Sequence, residues 1–144
     1  MNTLKGFISL IFVFLFSIAI LSAEKGMEQQ SLPKEHVKKL KRIAEFVAGE
    51  LTRRAIKTVT VEDFTDFYGK PSATGTKMAR EFSKQLAVIG DKNFSVLPSS
   101  AEAIVKGTLI PFKEGGKWKL DIKVISSDRG KIITSYTGIL KKKK

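Results

Sequence analysis

The side chains that most often carry out catalysis or hold metals are scarce in this chain. Its 144 residues include no cysteine and a single histidine, His36. These counts exclude a disulfide framework, a thiolate nucleophile, a cysteine-based zinc site, an iron–sulfur cluster and a metal site made of several histidines. His36 falls in the first turns of a charged helical pattern, where we expect it to be exposed. Composition therefore favours a protein that is not an enzyme and needs no cofactor or metal.

One acidic cluster keeps a chemical interpretation open. Glu62, Asp63 and Asp66 follow one another at the end of a strand pattern. Paired carboxylates can act as acid and base, or they can hold a hard cation. Side chains alternate along a strand, so Glu62 and Asp63 should point to opposite faces. This alternation disfavours a shared site, and we predict neither catalytic nor metal-binding residues here.

A glycine-containing segment, residues 69–77, lies between a strand and a helix, as a phosphate-binding loop does. It reads Gly-Lys-Pro-Ser-Ala-Thr-Gly-Thr-Lys. A phosphate-binding loop needs four residues between its glycines and a lysine directly after the second. Here five residues intervene, and Thr76 separates Gly75 from Lys77. The spacing predicts a turn with a helix cap at Thr74 instead of a nucleotide site.

Aromatic and basic residues in the same region predict a contact surface. Phe67 and Tyr68 stand beside Gly69, outside any regular element. Exposed aromatic residues are favoured as anchors of protein interfaces. Lys70 and Lys77 add positive charge that would steer an acidic partner, an attraction that salt weakens. We therefore predict a partner-binding site at Phe67, Tyr68, Lys70 and Lys77; the alternative is that both aromatics fold back onto the core.

Two helices are predicted from apolar residues spaced three and four apart. The first begins near Ser31, a potential cap, with Pro33 in its first turn. Its apolar face consists of Val37, Leu40, Ala44, Val47 and Leu51. The second runs from about Thr76 to Ile89, and its apolar face consists of Met78, Phe82, Leu86 and Ile89. The lysines of the first helix would also suit a membrane surface, but packing on a sheet is the favoured interpretation.

Strand patterns complete the predicted fold. Five segments have strand composition or alternation: 58–64, 94–97, 103–112, 118–124 and 132–140. A strand–helix–strand unit gives parallel strands, and the short later turns give an antiparallel meander. We predict an α+β fold in which two helices pack on one face of a mixed β-sheet, in the order α-β-α-β-β-β-β. Leu86 and Ile122 should be buried, and Trp118 should lie at the edge of the core or serve as an exposed recognition aromatic.

The N-terminus has the pattern of an export signal. One lysine in residues 1–5 precedes an uncharged apolar stretch, 7–23, that ends in Ser22 and Ala23. The alternative is an uncleaved membrane anchor, since the stretch is at the lower length limit for spanning. Glu24 stands where a lipid-carrying cysteine would follow, so that type of anchor is not expected. The predicted location is the periplasm or cell envelope, with residues 7–23 as the alternative tether.

The predicted domain organisation follows from these patterns. The four segments are a signal peptide or anchor at 1–23, a flexible lead at 24–32, a single α+β domain at 33–140 and a basic tail at 141–144. The formal net charge is +12, from 26 basic and 14 acidic residues. Such a charge favours acidic proteins, anionic membranes or anionic polymers as partners. Nucleic acid is not expected for an exported chain.

Three segments, in order, match motifs of known envelope proteins. The first segment combines residues 57–66, the glycine loop and the helix around 74–86. It resembles a unit made of a valine-rich strand that ends in D-F, a glycine loop, and a helix with the pattern L-G-x-x-x-A-x-E-x-x-x-x-L. Residues 103–108 resemble an A-D-A-I-V-x-G-T strand, and residues 128–133 resemble a D-x-x-T-G-x-I/V-V hairpin. On these motifs the chain resembles the FlgO, CsgG and TolB N-terminal families, with FlgO the most similar.

The resemblance implies a non-catalytic envelope protein that works through its surfaces. It carries over no catalytic residue. We therefore expect an exported envelope scaffold or assembly accessory that acts through protein–protein contacts. The alternative is a periplasmic module that binds a small ligand or an anionic polymer through residues 69–76 and nearby lysines.

Overall fold

A computed structural model describes residues 31–112 and 115–141. Helix α1 spans Lys34–Arg53 and helix α2 spans Ala73–Ile89. The strands are β1 (Thr58–Val61), β2 (Thr65–Asp66), β3 (Ser95–Val96), β4 (Ala103–Pro111), β5 (Lys117–Ser126) and β6 (Ile132–Lys141). The predicted export segment 1–23, most of the predicted lead and residues 142–144 of the predicted tail lie outside the described residues. Neither described helix has the length and apolar composition needed to cross a membrane.

The strands form one mixed sheet, which confirms the predicted fold class. The order is β3-β1-β4-β5-β6, with β2 paired to β4 beyond the end of β1. Strands β3, β1 and β4 are parallel, and β4, β5 and β6 form an antiparallel meander. The predicted first strand is shorter than expected, because the chain leaves the ladder after Val61 and buries Phe64. It returns to the sheet as β2, a strand that was not among the five predicted segments.

The core lies between the helices and one face of the sheet. Helix α1 packs against α2 and β6, while α2 also packs against β1, β2, β3 and β4. Leu86 and Ile122 are both fully buried, as predicted from their registers. The fully buried side chains also include Leu40, Ile43, Leu51, Val59, Phe64, Met78, Phe82 and Leu120. Trp118 is half-buried against this core, at its predicted edge.

The two helix starts differ from the sequence expectation. Pro33 is the N-cap of α1, which has no side-chain cap, so the prediction of a cap at Ser31 is wrong. Helix α2 is capped by Ser72, whose Oγ accepts a hydrogen bond from the Gly75 amide at 2.9 Å. The prediction of Thr74 as the cap is wrong because the helix has already begun at Ala73. The helix therefore starts earlier, where the extended backbone of Ser72 directs its hydroxyl at the first turn.

Two glycines make room for Phe64 in the core. A Cβ on Gly107 of β4 would overlap the Phe64 ring, and a Cβ on Gly75 of α2 would overlap the Phe64 backbone carbonyl. The Phe64 ring also lies on the ring of Phe82, with centroids 5.9 Å apart. The contacts of Phe64 with Phe82 and Gly107 tie the segment after β1 to both α2 and β4.

His36 is buried, which corrects the prediction that it is exposed. Its relative exposure is 5%, and its Nε2 donates to the Lys141 carbonyl at 2.6 Å. The reason is helical geometry: His36, Leu40, Ile43 and Val47 share the face that packs toward the sheet. Lys141, predicted to begin a basic tail, is the last residue of β6. The hydrogen bond therefore fastens the first turn of α1 to the end of the last strand.

Candidate functional site

The segment between β2 and α2 is a tight turn closed by backbone and side-chain hydrogen bonds. Thr65 and Pro71 form a bridge, and the Asp66 amide donates to the Lys70 carbonyl at 2.9 Å. The Gly69 amide donates to the Asp66 carbonyl at 3.0 Å, and Gly69 has a φ of +79°. That backbone angle is the left-handed one that glycine adopts without steric cost.

The Asp66 carboxylate organises the tip of this turn. Its Oδ1 accepts hydrogen bonds from the amides of Tyr68 and Lys70, both at 2.9 Å. Aspartate is a common residue at such positions because its short side chain reaches the amides two and more residues further on. Asp66, one member of the predicted acidic cluster, is therefore used to hold a turn. We call residues 66–70 the aromatic turn.

Phe67 and Tyr68 project from the aromatic turn into solvent. Phe67 is 64% exposed and Tyr68 is 82% exposed. Their rings meet edge to face, with centroids 5.5 Å apart and planes at 80°. The alternative that these aromatics fold back onto the core is therefore excluded. The structure places two adjacent apolar rings on a hydrogen-bonded tip.

The four predicted contact residues do not all lie on one element. Phe67, Tyr68 and Lys70 belong to the aromatic turn, and Lys70 is exposed. Lys77 lies on α2 and is half-buried. The structure therefore groups three of the predicted residues on the turn and places the fourth on the helix that follows it.

A pocket beside the aromatic turn was not predicted. It has a volume of about 260 Å³ and combines polar atoms with an apolar wall. Its lining residues are Asp66, Ser72, Thr74, Leu109, Pro111 and Trp118. Four elements and a connecting segment supply these residues, so no local pattern in the sequence could have identified the pocket. The strand alternation that places Trp118 at the core edge is the one signal that points to this region.

The other two members of the predicted acidic cluster, Glu62 and Asp63, make separate contacts. Glu62 Oε2 lies 3.9 Å from Lys106 Nζ, and Asp63 Oδ2 accepts from the Thr76 hydroxyl at 3.4 Å. Within residues 31–112 and 115–141, no three His, Asp or Glu side chains are arranged to hold a metal ion.

On α1, the hydrogen bond from Arg53 lowers the pKa of the Glu50 carboxyl. That exposed pair stabilises the charged form of a surface residue and forms no part of the aromatic turn.

The chain shares its fold with solved structures of LpoB. No protein-family model matches the chain, and no curated protein matches it. The C-terminal domain of LpoB from Escherichia coli aligns with a TM-score of 0.51 and 10% identity, over 68% of this chain and 95% of that domain. The solution structure of Escherichia coli LpoB gives 0.51 and 9%, over 69% and 66%. The Salmonella enterica LpoB C-terminal domain gives 0.48 and 12%, over 68% and 95%. At 9–10% identity, the two alignments with a TM-score of 0.51 establish a common fold.

The resemblance to the FlgO, CsgG and TolB N-terminal families is therefore wrong. The solved structures that share this fold include those of LpoB, and no family model matches the chain. The residues that carried the resemblance have packing roles: Val59 is buried, Phe64 fills the core, and Gly75 and Gly107 leave space for it. Such a pattern follows from the geometry of the fold, so it does not identify one family.

Proposed function

We propose that this chain is an exported, non-catalytic accessory of the cell envelope that acts through protein–protein contacts at the aromatic turn. The observation that carries the proposal is the exposure of Phe67 and Tyr68 on a hydrogen-bonded turn. Two adjacent exposed rings supply a large apolar contact area. Because Asp66 already holds the backbone, binding a partner would cost little conformational entropy.

The envelope location in this proposal is supported by the N-terminal sequence. Residues 1–23 have the charge and hydropathy pattern of an export signal or membrane anchor. The contact role is also supported by composition, since the chain has no cysteine and a single histidine.

The alternative of a ligand-binding module at residues 69–76 is less well supported. The Gly75 amide donates to Ser72 Oγ, and the Thr76 amide donates to the Ser72 carbonyl. An anion at a helix N-terminus needs free amides. Since Ser72 uses these two amides, the start of α2 has less capacity for a phosphate or sulfate group.

Site-specific photocrosslinking in intact cells tests the proposal. A photoreactive phenylalanine analogue replaces Tyr68, and the matched control places it at Val88, an α2 residue that is 71% exposed. The proposal predicts discrete protein adducts at Tyr68 that are absent at Val88. Equal labelling at both positions would show that the turn is not a specific contact.

A double variant measures the contribution of the rings to binding. Phe67→Ala with Tyr68→Ala should weaken capture of the crosslinked partner by about 30-fold or more, as expected for interface hot spots. The circular dichroism spectrum and melting temperature should match the parent. Retention of full binding by this folded variant would contradict the proposed site.

A further inference from the structure

The two edges of the sheet are very different in length. Strand β3, at one edge, has two residues, whereas β6, at the other, has ten. Proteins usually protect a sheet edge with short strands, charges or a covering element, since an open edge offers backbone groups to another strand. The residues of β6 between its ends, Ile133 to Leu140, include no charged side chain.

The hydrogen-bond pattern shows which backbone groups of β6 face outward. The Phe112 amide donates to the Lys117 carbonyl, so the backbone of Lys117 points toward β4. Lys117 pairs with Lys141 across β5 and β6, so the backbone of Lys141 points away from β5. Its carbonyl indeed accepts from His36. Ser126 is an odd number of residues from Lys117 on β5, so its backbone should point the other way, toward β6. Its amide donates to the Lys131 carbonyl, in agreement with this assignment.

The same alternation assigns Ser135, Thr137 and Ile139 to the outer side. Each presents an amide and a carbonyl away from β5, and each has an exposed side chain. Within the part of the chain that the structure describes, these outward groups have no backbone partner. They form an unpaired edge that can accept an additional strand.

Helix α1 borders this edge with basic and aromatic side chains. The Lys39 side chain passes over Gly138, where an added Cβ would meet Lys39 Cε at 3.0 Å. The Phe46 ring lies on Tyr136, with centroids 5.4 Å apart, and remains 41% exposed. Arg42, three residues after Lys39 and four before Phe46, lies on the same helix face and is exposed.

We propose that the outer edge of β6, from Ser135 to Ile139, binds an extended acidic peptide segment of another protein as an additional strand. Backbone pairing would supply the affinity, and alternate side chains of the added strand would meet the α1 border. Carboxylates on that side face Lys39 and Arg42, while an apolar residue faces Phe46. Glu35, one turn before Lys39, and Glu45, next to Phe46, are the acidic residues on this stretch of α1, against the basic residues Lys34, Lys38, Lys39, Lys41 and Arg42.

Charge favours an acidic partner over a second copy of this chain. Lys131 and Lys141 flank the edge, and the chain carries +12. An antiparallel copy centred on Tyr136 would place Lys131 opposite Lys141 at both ends of the pair. Like charges directly opposite each other destabilise strand pairing. This site is separate from the aromatic turn and goes beyond the function proposed above.

The test uses a short, end-blocked peptide titrated into the full chain in a neutral detergent, with two Glu and one Val at the alternate positions that would face Lys39, Arg42 and Phe46. Its matched control has the same sequence and charge, with N-methyl groups on the amides that would face β6. Fluorescence anisotropy should show binding of the first peptide, and binding of the control should be weaker by about tenfold or more. Amide exchange at Ser135, Thr137 and Ile139 should slow only with the first peptide.

Variants of the protein separate edge pairing from general charge attraction. Thr137→Pro removes an outward amide without breaking a bond to β5, a change that edge strands tolerate. It should weaken peptide binding about tenfold, while Thr137→Val, which keeps the amide, should bind as the parent does. The Phe67→Ala, Tyr68→Ala double variant should also bind the peptide normally, so failure at one site is distinguishable from failure at the other.

Three results would overturn the inference. One is equal binding of the N-methylated and unmodified peptides, which would indicate charge attraction alone. Another is unchanged exchange at the three outward amides when the peptide is saturating. The last is a stable dimer by sedimentation whose β6 amides are protected before any peptide is added, since a second copy would then occupy the edge.

Discussion

Phe64 and Phe67 are three residues apart and have opposite environments. Phe64 is fully buried, whereas Phe67 is 64% exposed and Tyr68 is 82% exposed. Hydrophobicity does not distinguish the two phenylalanines, so their surroundings must. Phe64 enters a space between α2 and β4 that Gly75 and Gly107 leave open. Phe67 follows Asp66, whose carboxylate closes a turn that points the next two side chains outward.

These opposite environments mean that the two regions contribute differently to the stability of the fold. Burial of a phenylalanine ring contributes several kcal/mol to folding, so Phe64 is committed to the core. The rings of the aromatic turn contribute little to folding and remain free for contact. Substitution of Phe64 should therefore lower the stability of the fold, whereas substitution of Phe67 and Tyr68 should leave that stability nearly unchanged.

The largest expected effect is on Phe64. Phe64→Ala should lower the free energy of unfolding by about 3–5 kcal/mol, because it removes a fully buried ring and leaves a cavity against Phe82. Urea denaturation followed by circular dichroism measures this loss. Phe64→Leu, which keeps most of the volume, should lose less. If the two variants were equally stable, the ring would not be packed as described.

A smaller loss is expected when the space for Phe64 is filled. Gly107→Ala should destabilise the fold by about 1–3 kcal/mol, because its methyl group overlaps the Phe64 ring. The matched control is Gly49→Ala on α1, where an added Cβ meets nothing within 4 Å. In that exposed helical position alanine should be neutral or stabilising. A thermal melt in which both variants lose the same stability would contradict the account of Gly107.

The turn that separates the two regions depends on Asp66. Asp66→Ala removes the acceptor for the Tyr68 and Lys70 amides and should cost about 0.5–1.5 kcal/mol of stability. Hydrogen exchange at those two amides should accelerate while exchange in α2 stays slow. Asp66→Asn, which keeps an oxygen acceptor, should retain most of the protection. Unchanged exchange in Asp66→Ala would mean that the backbone alone holds the turn.

The smallest effect on stability is expected at the exposed rings. Phe67→Ala with Tyr68→Ala should shift the free energy of unfolding by no more than about 0.5 kcal/mol, as exposed surface substitutions usually do. Differential scanning calorimetry compares the variant with the parent. A loss as large as that of Phe64→Ala would show that the rings pack on the fold, and the separation of the two regions would fail.

Sequence periodicity and the lengths of the connections were sufficient to predict the α+β class, the parallel pair of β1 and β3, the antiparallel meander of β4 to β6 and the burial of Leu86 and Ile122. Burial depends on spacing within one element, because a helix or strand buries the residues that share its face, and strand direction depends on the connection between strands. The sequence also indicated an irregular segment at the aromatic turn, since Gly69 and Pro71 interrupt both the helical spacing and the strand alternation. Whether Phe67 and Tyr68 turn inward or outward could not be read from that pattern.

Contacts between distant segments were decided by the tertiary structure alone. The His36–Lys141 hydrogen bond joins residues 105 positions apart, so no local pattern indicates that His36 is buried. The pocket lined by Asp66, Leu109 and Trp118 and the unpaired edge of β6 likewise exist only once the sheet order is set. The amino-acid sequence by itself determined which faces of the elements are apolar. Packing then determined which of the remaining surfaces meet each other and which stay open, because that depends on distances that spacing along the chain does not encode.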